Sequence, residues 1–303
     1  MPTDALAPSP AEIEAELIAQ CRLGNRTHFE QLLGPHLRAI KLISYSILKN
    51  AHDTEDVVQE TILKAYMHID QLRKGESLRA WLLRIAANEA RIRYRKDRKG
   101  LFDSLESEIM GKSCKPRQFA TWRTIPSEEL DRQETRKVLA AALGCLQDGY
   151  REVFVLRDVQ HLSAAETSKI LSISEQLVHT RLHRARLQMR EYLAPFFKSK
   201  QRFSMAVPLR MMLLMGKTWL RRTISCKRVI TEISQYIDNR LTSERRRQIE
   251  EHLRICSRCS VVVDTTRKLL FVAGDENVLT VPFDCKVNWD RIVPTAKTQI
   301  SAL

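Results

Sequence analysis

The sequence predicts an all-α protein made of two small helical domains, joined by a linker, and a smaller third module of two helices. Apolar residues recur every three or four positions through most of the chain, which is the spacing of one face of an α-helix. Aromatic residues make up only 6% of the 303 residues and glycines number nine, a composition that favours helices over sheets. Before the C-terminal tail, no segment alternates apolar and polar residues as a half-buried strand does.

Residues 12–99 are expected to form the first domain. Its periodic apolar segments are Phe29–Ile40, Val57–Tyr66 and Trp81–Ala86. Asp53 or Thr54 is the expected N-cap of the middle helix, because a side-chain oxygen at that position accepts from the free amides of the first turn. The last helix continues into the basic segment Arg91–Lys99.

Residues 100–126 interrupt the helical pattern with Gly, Ser, Cys and Pro, and we expect a linker there. Helical periodicity resumes at Ser127, so residues 127–197 are expected to form the second domain. The remainder divides into a basic connector (198–225), a small module (226–271) and a tail without a clear period (272–303).

The second domain contains two helical stretches joined by a tight turn. Ala164–Leu171 is followed by Ser172–Ser174 and then by a longer helix that begins at Glu175. A helix followed by a short turn and a basic second helix is the arrangement that places one helix in the major groove of DNA. The residues of this second helix that we expect to contact DNA are Glu175, Gln176, His179, Thr180, Arg181, His183, Arg184 and Arg186. The inward face would comprise Leu177, Val178, Leu182, Ala185 and Leu187.

A solvated amphipathic helix is the alternative interpretation of this basic stretch, since charged runs usually face water. The lengths of the preceding helix and the turn favour DNA binding. Within such a helix, Arg pairs with guanine and Gln pairs with adenine. Arginines further along the helix are suited to contacts with DNA phosphates.

The charge balance also indicates an anionic partner. Lys and Arg number 50 against 36 Asp and Glu, a net charge of +14, and the positive charge clusters near helical patterns. Nucleic acid is therefore favoured over a lipid surface. The apolar stretch Met205–Leu220 contains Pro208, Arg210 and Lys217, so a membrane anchor is the minor alternative. The N-terminus has no basic start or apolar run, and we expect a cytoplasmic protein.

Two further segments of the first domain carry opposite charges. The basic run Arg91–Lys99 follows an apolar helix with Trp81, a combination that suits single-stranded or melted DNA, although Trp81 is better explained as a core residue. The acidic segment Asp53–Glu60 is unsuited to DNA and either favours its helix N-terminus or docks a protein.

Taken together, these segments resemble an RNA polymerase sigma factor of the extracytoplasmic-function type, within the sigma-70 family. The resemblance covers roughly residues 28–197. The matching segments are Asp53–Tyr66 and Leu78–Asn88 of region 2, and Tyr150–Asp158 and Leu177–Arg186 of region 4. The sequence departs from the family pattern at Ile92, where many members carry an acidic residue, and at Ser168 and Ser172, which replace small or glycine positions.

The resemblance implies a role for each surface. The residues expected to face core RNA polymerase are Glu55, Asp56, Gln59 and Glu60. Those expected to face the separated strand of the minus-ten element are Arg84, Asn88, Arg91 and Arg95. The loop Gln71–Ser77 would hold a flipped base, and region 4 would bind the minus-thirty-five element of promoter DNA. No catalytic residue is expected, because the chemistry belongs to the polymerase.

The third module carries a cysteine and histidine pattern typical of a zinc site. His252 and Cys256 are four residues apart, on one helix face, and Cys259 follows three residues later. Zinc takes four thiolate or imidazole ligands, and Cys226 is the upstream cysteine near enough to complete the set. Two stray cysteines and a surface histidine are the alternative. Thr242 is the expected N-cap of the helix that leads to His252.

This module resembles the zinc-binding anti-sigma domain, in which a His-x3-Cys-x2-Cys motif and one upstream ligand join two helices. The resemblance implies that a fused copy regulates the sigma factor internally, with the chain's own first two domains or a separate regulator as partner. Redox sensing is a further hypothesis, since oxidation removes thiolate ligands. Two other functions stay open: a helix-turn-helix regulator that acts without polymerase, and an interaction protein whose zinc module captures another sigma factor.

Overall fold

In the computed structural model, the described residues are 10–22, 26–72, 77–97, 129–193 and 224–275, together with Val287 and Trp289. Every regular element within these ranges is helical, which confirms the predicted all-α class. The linker 100–126, most of the connector 198–225 and residues 73–76 of the loop expected to hold a flipped base lie outside them.

The helices follow the chain in three groups. The first comprises α1 (Pro10–Arg22), α2 (Arg26–Leu33), α3 (Leu37–Leu48), α4 (Ala51–Met67) and α5 (Leu78–Asp97). The second comprises α6 (Glu129–Cys145), α7 (Asp148–Phe154), the π-helical turn Val155–Val159, α8 (Ala164–Leu171) and α9 (Glu175–Leu193). The third comprises α10 (Cys226–Ile237), α11 (Ser243–Ile255) and α12 (Ser257–Ala273).

The described residues fall into two compact units. The first contains α1–α5, α8, Val287 and Trp289. The second contains α6, α7, α9 from Gln176 onward, and α10–α12. The two helices of the helix-turn-helix therefore belong to different units, which the sequence pattern does not indicate.

The core of the first unit lies where α3 packs on α4 and α5 and where α4 packs on α5. Ile40, Ile43, Ile62 and Leu82 are fully buried there. Trp81 is 4% exposed, as expected of a core residue. The apolar stripes predicted from the sequence therefore face one another.

Helix α4 begins earlier than the sequence suggested. Asn50, in extended backbone, is its N-cap, and the Asn50 side chain accepts hydrogen bonds from the amides of His52 and Asp53. The expected caps Asp53 and Thr54 are wrong, because both lie inside the first helical turn. Lys49 ends α3 in the left-handed conformation, which leaves Asn50 free to start the next helix.

The predicted turn between α8 and α9 is confirmed. Ser163 caps α8, and its hydroxyl and backbone amide exchange hydrogen bonds with Glu166 in a capping box. Ser172 ends the helix with a φ of 54°, the left-handed region in which glycine is more common. The Ser168 hydroxyl donates to the Ile173 carbonyl at 2.6 Å, so this serine stabilises the turn.

The third module has three helices, and the prediction of two is wrong. Its core consists of Val229, Ile233, Tyr236, Ile249, Cys259, Val262 and Val263. The last two residues lie on α12, which starts directly after Cys256 and packs on both α10 and α11. A two-helix pair alone would leave this apolar surface open to water. Thr242 caps α11 as expected, accepting from the Arg245 amide.

Candidate nucleic-acid interface and metal centre

The acidic segment expected to face polymerase lies on the first turns of α4. Glu55 and Gln59 are half-buried, and Asp56 and Glu60 are exposed. Asp56 accepts from the Arg93 guanidinium of α5 at 2.8 Å, and the same guanidinium donates to Asp53 at 2.9 Å. These ion pairs fix α4 against α5 and leave the outer carboxylate surface accessible to a partner.

The four residues of α5 expected to face a separated DNA strand differ in exposure. Asn88 and Arg95 are exposed, whereas Arg84 and Arg91 are half-buried. Helix α8 packs on α5 within the first unit. Arg91 Nη1 donates to the carbonyl oxygen of Leu171, the last residue of α8, at 2.8 Å. A cation at a helix C-terminus is favourable because the free carbonyls carry partial negative charge. Arg91 therefore stabilises the end of α8 in this arrangement.

Replacing Arg91 with alanine is expected to loosen α8 in the absence of DNA. A hydrogen bond to a charged group contributes about 1.5–3 kcal/mol, so amide exchange at the end of α8 should accelerate roughly tenfold or more. Hydrogen exchange measured by mass spectrometry checks this. Arg95→Ala is the matched control, because, within the part of the chain that the structure describes, Arg95 Nε donates inside α5, to the Arg91 carbonyl. Equal exchange in both variants would contradict the role given to Arg91.

Helix α9 presents its expected DNA-contacting residues unevenly. Glu175 and Gln176 are exposed at its start, and His179 and Thr180 are half-buried. Leu177 is 37% exposed, so its expected inward orientation is wrong; Val178, Leu182, Ala185 and Leu187 are buried as expected.

Two arginines of α9 lie against α7. The Arg181 guanidinium lies so close to Gly149 that a Cβ there would come within 2.9 Å of Arg181 Nη1. Arg184 Nη1 donates to the Tyr150 hydroxyl at 3.0 Å. The absence of a side chain at Gly149 makes room for one of these basic side chains, and Tyr150 orients the other.

Arg186 forms a buried ion pair and does not reach solvent in this structure. Its guanidinium donates to both carboxylate oxygens of Asp158, at 2.9 and 2.7 Å. Arg186 Nη2 also donates to Asp238, in the turn after α10, at 2.9 Å. Burial disfavours the charged guanidinium, but the two carboxylates outweigh it and raise the pKa of Arg186. Arg186 is therefore a fixed cation that joins α9 to the third module.

His183 lies one turn before Arg186 and also contacts the third module. Its Nδ1 lies 3.1 Å from the hydroxyl of Ser234 in α10. Burial, together with the positive charges of Arg186 and Arg184, lowers the pKa of His183 to about 4. The imidazole is therefore neutral near pH 7, and this contact is a neutral hydrogen bond beside a charged one.

Two further contacts complete this surface within the second unit. Helix α12 packs against the π-helical turn Val155–Val159. His161 Nε2 lies 3.3 Å from the carbonyl oxygen of Gly274, and a Cβ at Gly274 would come within 2.9 Å of that imidazole. The third module therefore touches both α9 and the segment that follows α7.

The four expected metal ligands converge at the other end of α10. The ligand atoms of Cys226, His252, Cys256 and Cys259 all lie within 4.8 Å of one another. The Cys226 sulfur lies 3.6 Å from His252 Nε2 and 3.7 Å from the Cys256 sulfur. In a tetrahedral zinc site with bonds of about 2.3 Å, two sulfurs are about 3.8 Å apart. The donor set and its spacing therefore fit one tetrahedral metal ion.

The thiol pKa values of this cluster are shifted in opposite directions. Burial raises the pKa of Cys259, and the neighbouring Cys256 and Cys226 raise it further. Although burial acts the same way on Cys256, hydrogen bonds from the Cys259 amide and the Cys226 thiol lower its pKa overall. Adjacent thiolates repel one another, and a bound metal ion removes that repulsion.

Sequence reasoning predicted the cluster of three cysteines and one histidine and missed the partners of α9. Asp158, Ser234 and Asp238 carry no local signal of this role. Asp158 lies 28 residues before Arg186 and Asp238 lies 52 residues after it.

Comparison with known proteins assigns these regions. A Sigma-70 region 2 family model matches residues 32–100, and a Sigma-70 region 4 model matches residues 136–189. A zinc-finger family model matches residues 226–260, which include all four expected ligands. The matches follow the order expected from the sequence.

Curated relatives cover more than half of the chain. ECF RNA polymerase sigma factor SigW of Bacillus subtilis (strain 168) is 30% identical over 178 residues, which are 58% of this chain and 94% of that protein. RNA polymerase sigma factor CnrH of Cupriavidus metallidurans is 31% identical over 183 residues, 60% of this chain and 94% of that protein. A solved structure of CnrH with the cytosolic domain of CnrY is 29% identical, covers 60% of this chain and 97% of that chain, and has a TM-score of 0.42.

Among the described residues, no helix combines the length and apolar character needed to cross a membrane. The helical fold, the matched regions 2 and 4 and the identity to relatives covered over nearly their whole length agree with one another. The chain belongs to the extracytoplasmic-function family of RNA polymerase sigma factors.

Proposed function

We propose that this sigma factor directs core RNA polymerase to specific promoters and carries its own inhibitor, a zinc module that covers part of the region 4 recognition helix α9. One observation supports the inhibitory role above all others. Asp238 of the module accepts from the buried guanidinium of Arg186 on α9, one turn from the contact between Ser234 and His183.

The activating half of the proposal assigns three surfaces. Glu55, Asp56, Gln59 and Glu60 on α4 bind polymerase, and Arg84, Asn88, Arg91 and Arg95 on α5 bind the separated strand. The exposed start of α9, with Glu175 and Gln176, enters the duplex at the minus-thirty-five element. The protein acts in the cytoplasm and catalyses no reaction of its own.

The inhibitory half of the proposal follows from the charge and position of Asp238, through which the zinc module contacts α9. Binding to duplex DNA relies on cations that reach phosphates from the sides of the recognition helix. Asp238 places a carboxylate against Arg186, and the module lies on the side of α9 that carries His183 and Arg186. DNA and the module therefore compete for this side of α9, although the first turn of the helix stays exposed.

The proposed metal is zinc, held by Cys226, His252, Cys256 and Cys259. It supplies a rigid cross-link between the start of α10 and the junction of α11 with α12. Because Ser234 and Asp238 lie at the opposite end of α10, the cross-link fixes the orientation of the residues that contact α9.

Replacing Asp238 with alanine is expected to strengthen binding to a minus-thirty-five duplex by roughly tenfold, because a hydrogen bond to a charged group contributes about 1.5–3 kcal/mol. Fluorescence anisotropy at fixed salt measures the affinity. Asp264→Ala is the matched control: it changes net charge equally, but Asp264 pairs with Lys268 on α12, 2.9 Å away. A chain that ends at residue 197 should show a gain at least as large in both duplex binding and run-off transcription with core polymerase.

Two outcomes would contradict the proposal. If Asp238→Ala and Asp264→Ala change affinity equally, the module contact does not restrict DNA binding. If replacing Glu55, Asp56, Gln59 and Glu60 with alanine leaves polymerase binding intact, α4 is not the polymerase surface. A module that instead binds sigma factors added in trans, and not its own chain, would support the capture hypothesis.

A further inference from the structure

We infer that the C-terminal tail docks through Trp289 on an aromatic site of the first unit, built from Phe29 and Tyr66, and that this docking opposes polymerase binding at α4. The effect on polymerase rests on the proposed function of α4, whereas the docking itself does not. The tail lies outside the three matched family regions.

The three aromatic rings form a chain of edge-to-face contacts. The Phe29 and Tyr66 centroids are 5.0 Å apart with an interplanar angle of 85°. The Phe29 and Trp289 centroids are 6.4 Å apart at 86°. Both distances lie in the range in which perpendicular aromatic pairs attract one another. The Trp289 indole therefore has a specific partner in α2.

The solvent exposure of Phe29 and Trp289 indicates that Trp289 completes the burial of this aromatic site. Phe29 is 1% exposed, while Trp289 is half-buried. The indole thus contacts a core side chain on one side and remains accessible on the other, as expected of a segment that docks on a folded domain. Val287, two residues earlier, is also half-buried.

The position of Tyr66 connects this site to the proposed polymerase surface. Tyr66 lies in the last turn of α4, seven residues after Gln59. Seven residues make almost two full turns, so both side chains lie on one helix face, about 10.5 Å apart along the axis. A partner that covers the Gln59 end of this face will meet the tail at the Tyr66 end. We therefore expect polymerase and the docked tail to compete.

The zinc module and the tail belong to different compact units. The zinc module contacts α9 in the second unit, whereas Trp289, fifteen residues beyond Gly274, belongs to the first. The docking of Trp289 can therefore be tested separately from the module.

The first experiment measures docking in the full-length chain without polymerase. Trp289→Ala should accelerate hydrogen exchange in α2 by roughly three- to tenfold, the range that an aromatic pair contributes. Trp289→Phe should retain most of the protection. Phe271→Ala is the matched control, since Phe271 is an aromatic residue of the C-terminal half with 70% exposure. Unchanged exchange in Trp289→Ala would overturn the docking.

The second experiment measures the affinity of the same variants for core polymerase. Trp289→Ala should bind roughly three- to tenfold more tightly than the parent chain, and Phe271→Ala should bind equally to it. If Trp289→Ala loses protection in α2 but gains no affinity, the competition is overturned and the docking stands. If the parent chain and every variant fail to bind polymerase, the proposed function of α4 fails, and the exchange data still decide whether the tail docks.

Discussion

Removing the metal ion is expected to unfold α10–α12 and to leave α1–α5 folded. Structural zinc contributes about 10–16 kcal/mol of apparent binding free energy to small zinc domains. The module has a core of only seven buried residues, among them Val229, Ile249 and Val262, which is too small to fold securely without a cross-link. The expected result is loss of exchange protection throughout 224–275 after chelation.

The matched variants for this prediction are two cysteine substitutions. Cys259→Ser removes a buried ligand, and Cys145→Ser changes an exposed cysteine outside the cluster. Metal analysis of purified protein should find one zinc per chain in the parent and in Cys145→Ser, and none in Cys259→Ser. Retained protection in the chelated protein, or zinc retained by Cys259→Ser, would contradict a structural metal site.

The unfolding of the module has a consequence for α9. Asp238 and Ser234 contact Arg186 and His183 only while α10 is folded and held in place. Chelation should therefore reproduce the gain in duplex binding expected of Asp238→Ala. The two treatments combined should give no further gain over chelation alone, because chelation already removes the Asp238 contact.

Much of this fold could be predicted because the sequence patterns that indicate it involve residues close together in the chain. The stripes of α4, α5 and α9 follow the 3.6-residue period, and the metal ligands on α11 and α12 lie within eight residues of one another. The turn Ser172–Ser174 was expected from its position between two helical patterns, and Ser172 takes the left-handed conformation there. Each of these features depends on neighbours in the sequence.

The features that could not be predicted depend on distant partners or on competing local choices. Nothing near Arg186 distinguishes it from the other arginines of α9, although it alone is held between Asp158 and Asp238. Asn50 became the cap of α4 because Lys49 ends α3 in the left-handed conformation. Helix α12 was missed because the cysteines of the motif suggested a chain reversal and masked its apolar stripe.

Replacing Asp158 with alanine is expected to destabilise the second compact unit by about 3–5 kcal/mol, the cost of leaving a buried charge without its partner. Arg186 and Asp158 are both almost fully buried, with side-chain exposures of 4% and 5%. Asp238 would remain but offers one oxygen in place of the bidentate pair. Urea unfolding followed by circular dichroism measures the loss. Asp264→Ala, which removes the exposed partner of the half-buried Lys268 within one helix, should cost no more than about 0.5 kcal/mol.

The same variant separates two roles for Arg186. If Arg186 is a structural cation, Asp158→Ala should lower stability strongly, and replacing Arg186 with methionine in that background should restore part of it, since the unpaired charge is then gone. If Arg186 instead moves out to contact DNA, Asp158→Ala should cost no more than the Asp264 control and should increase duplex affinity. The buried geometry favours the first result, and it explains why Asp238 can hold α9: the arginine that it contacts is already fixed in place by Asp158.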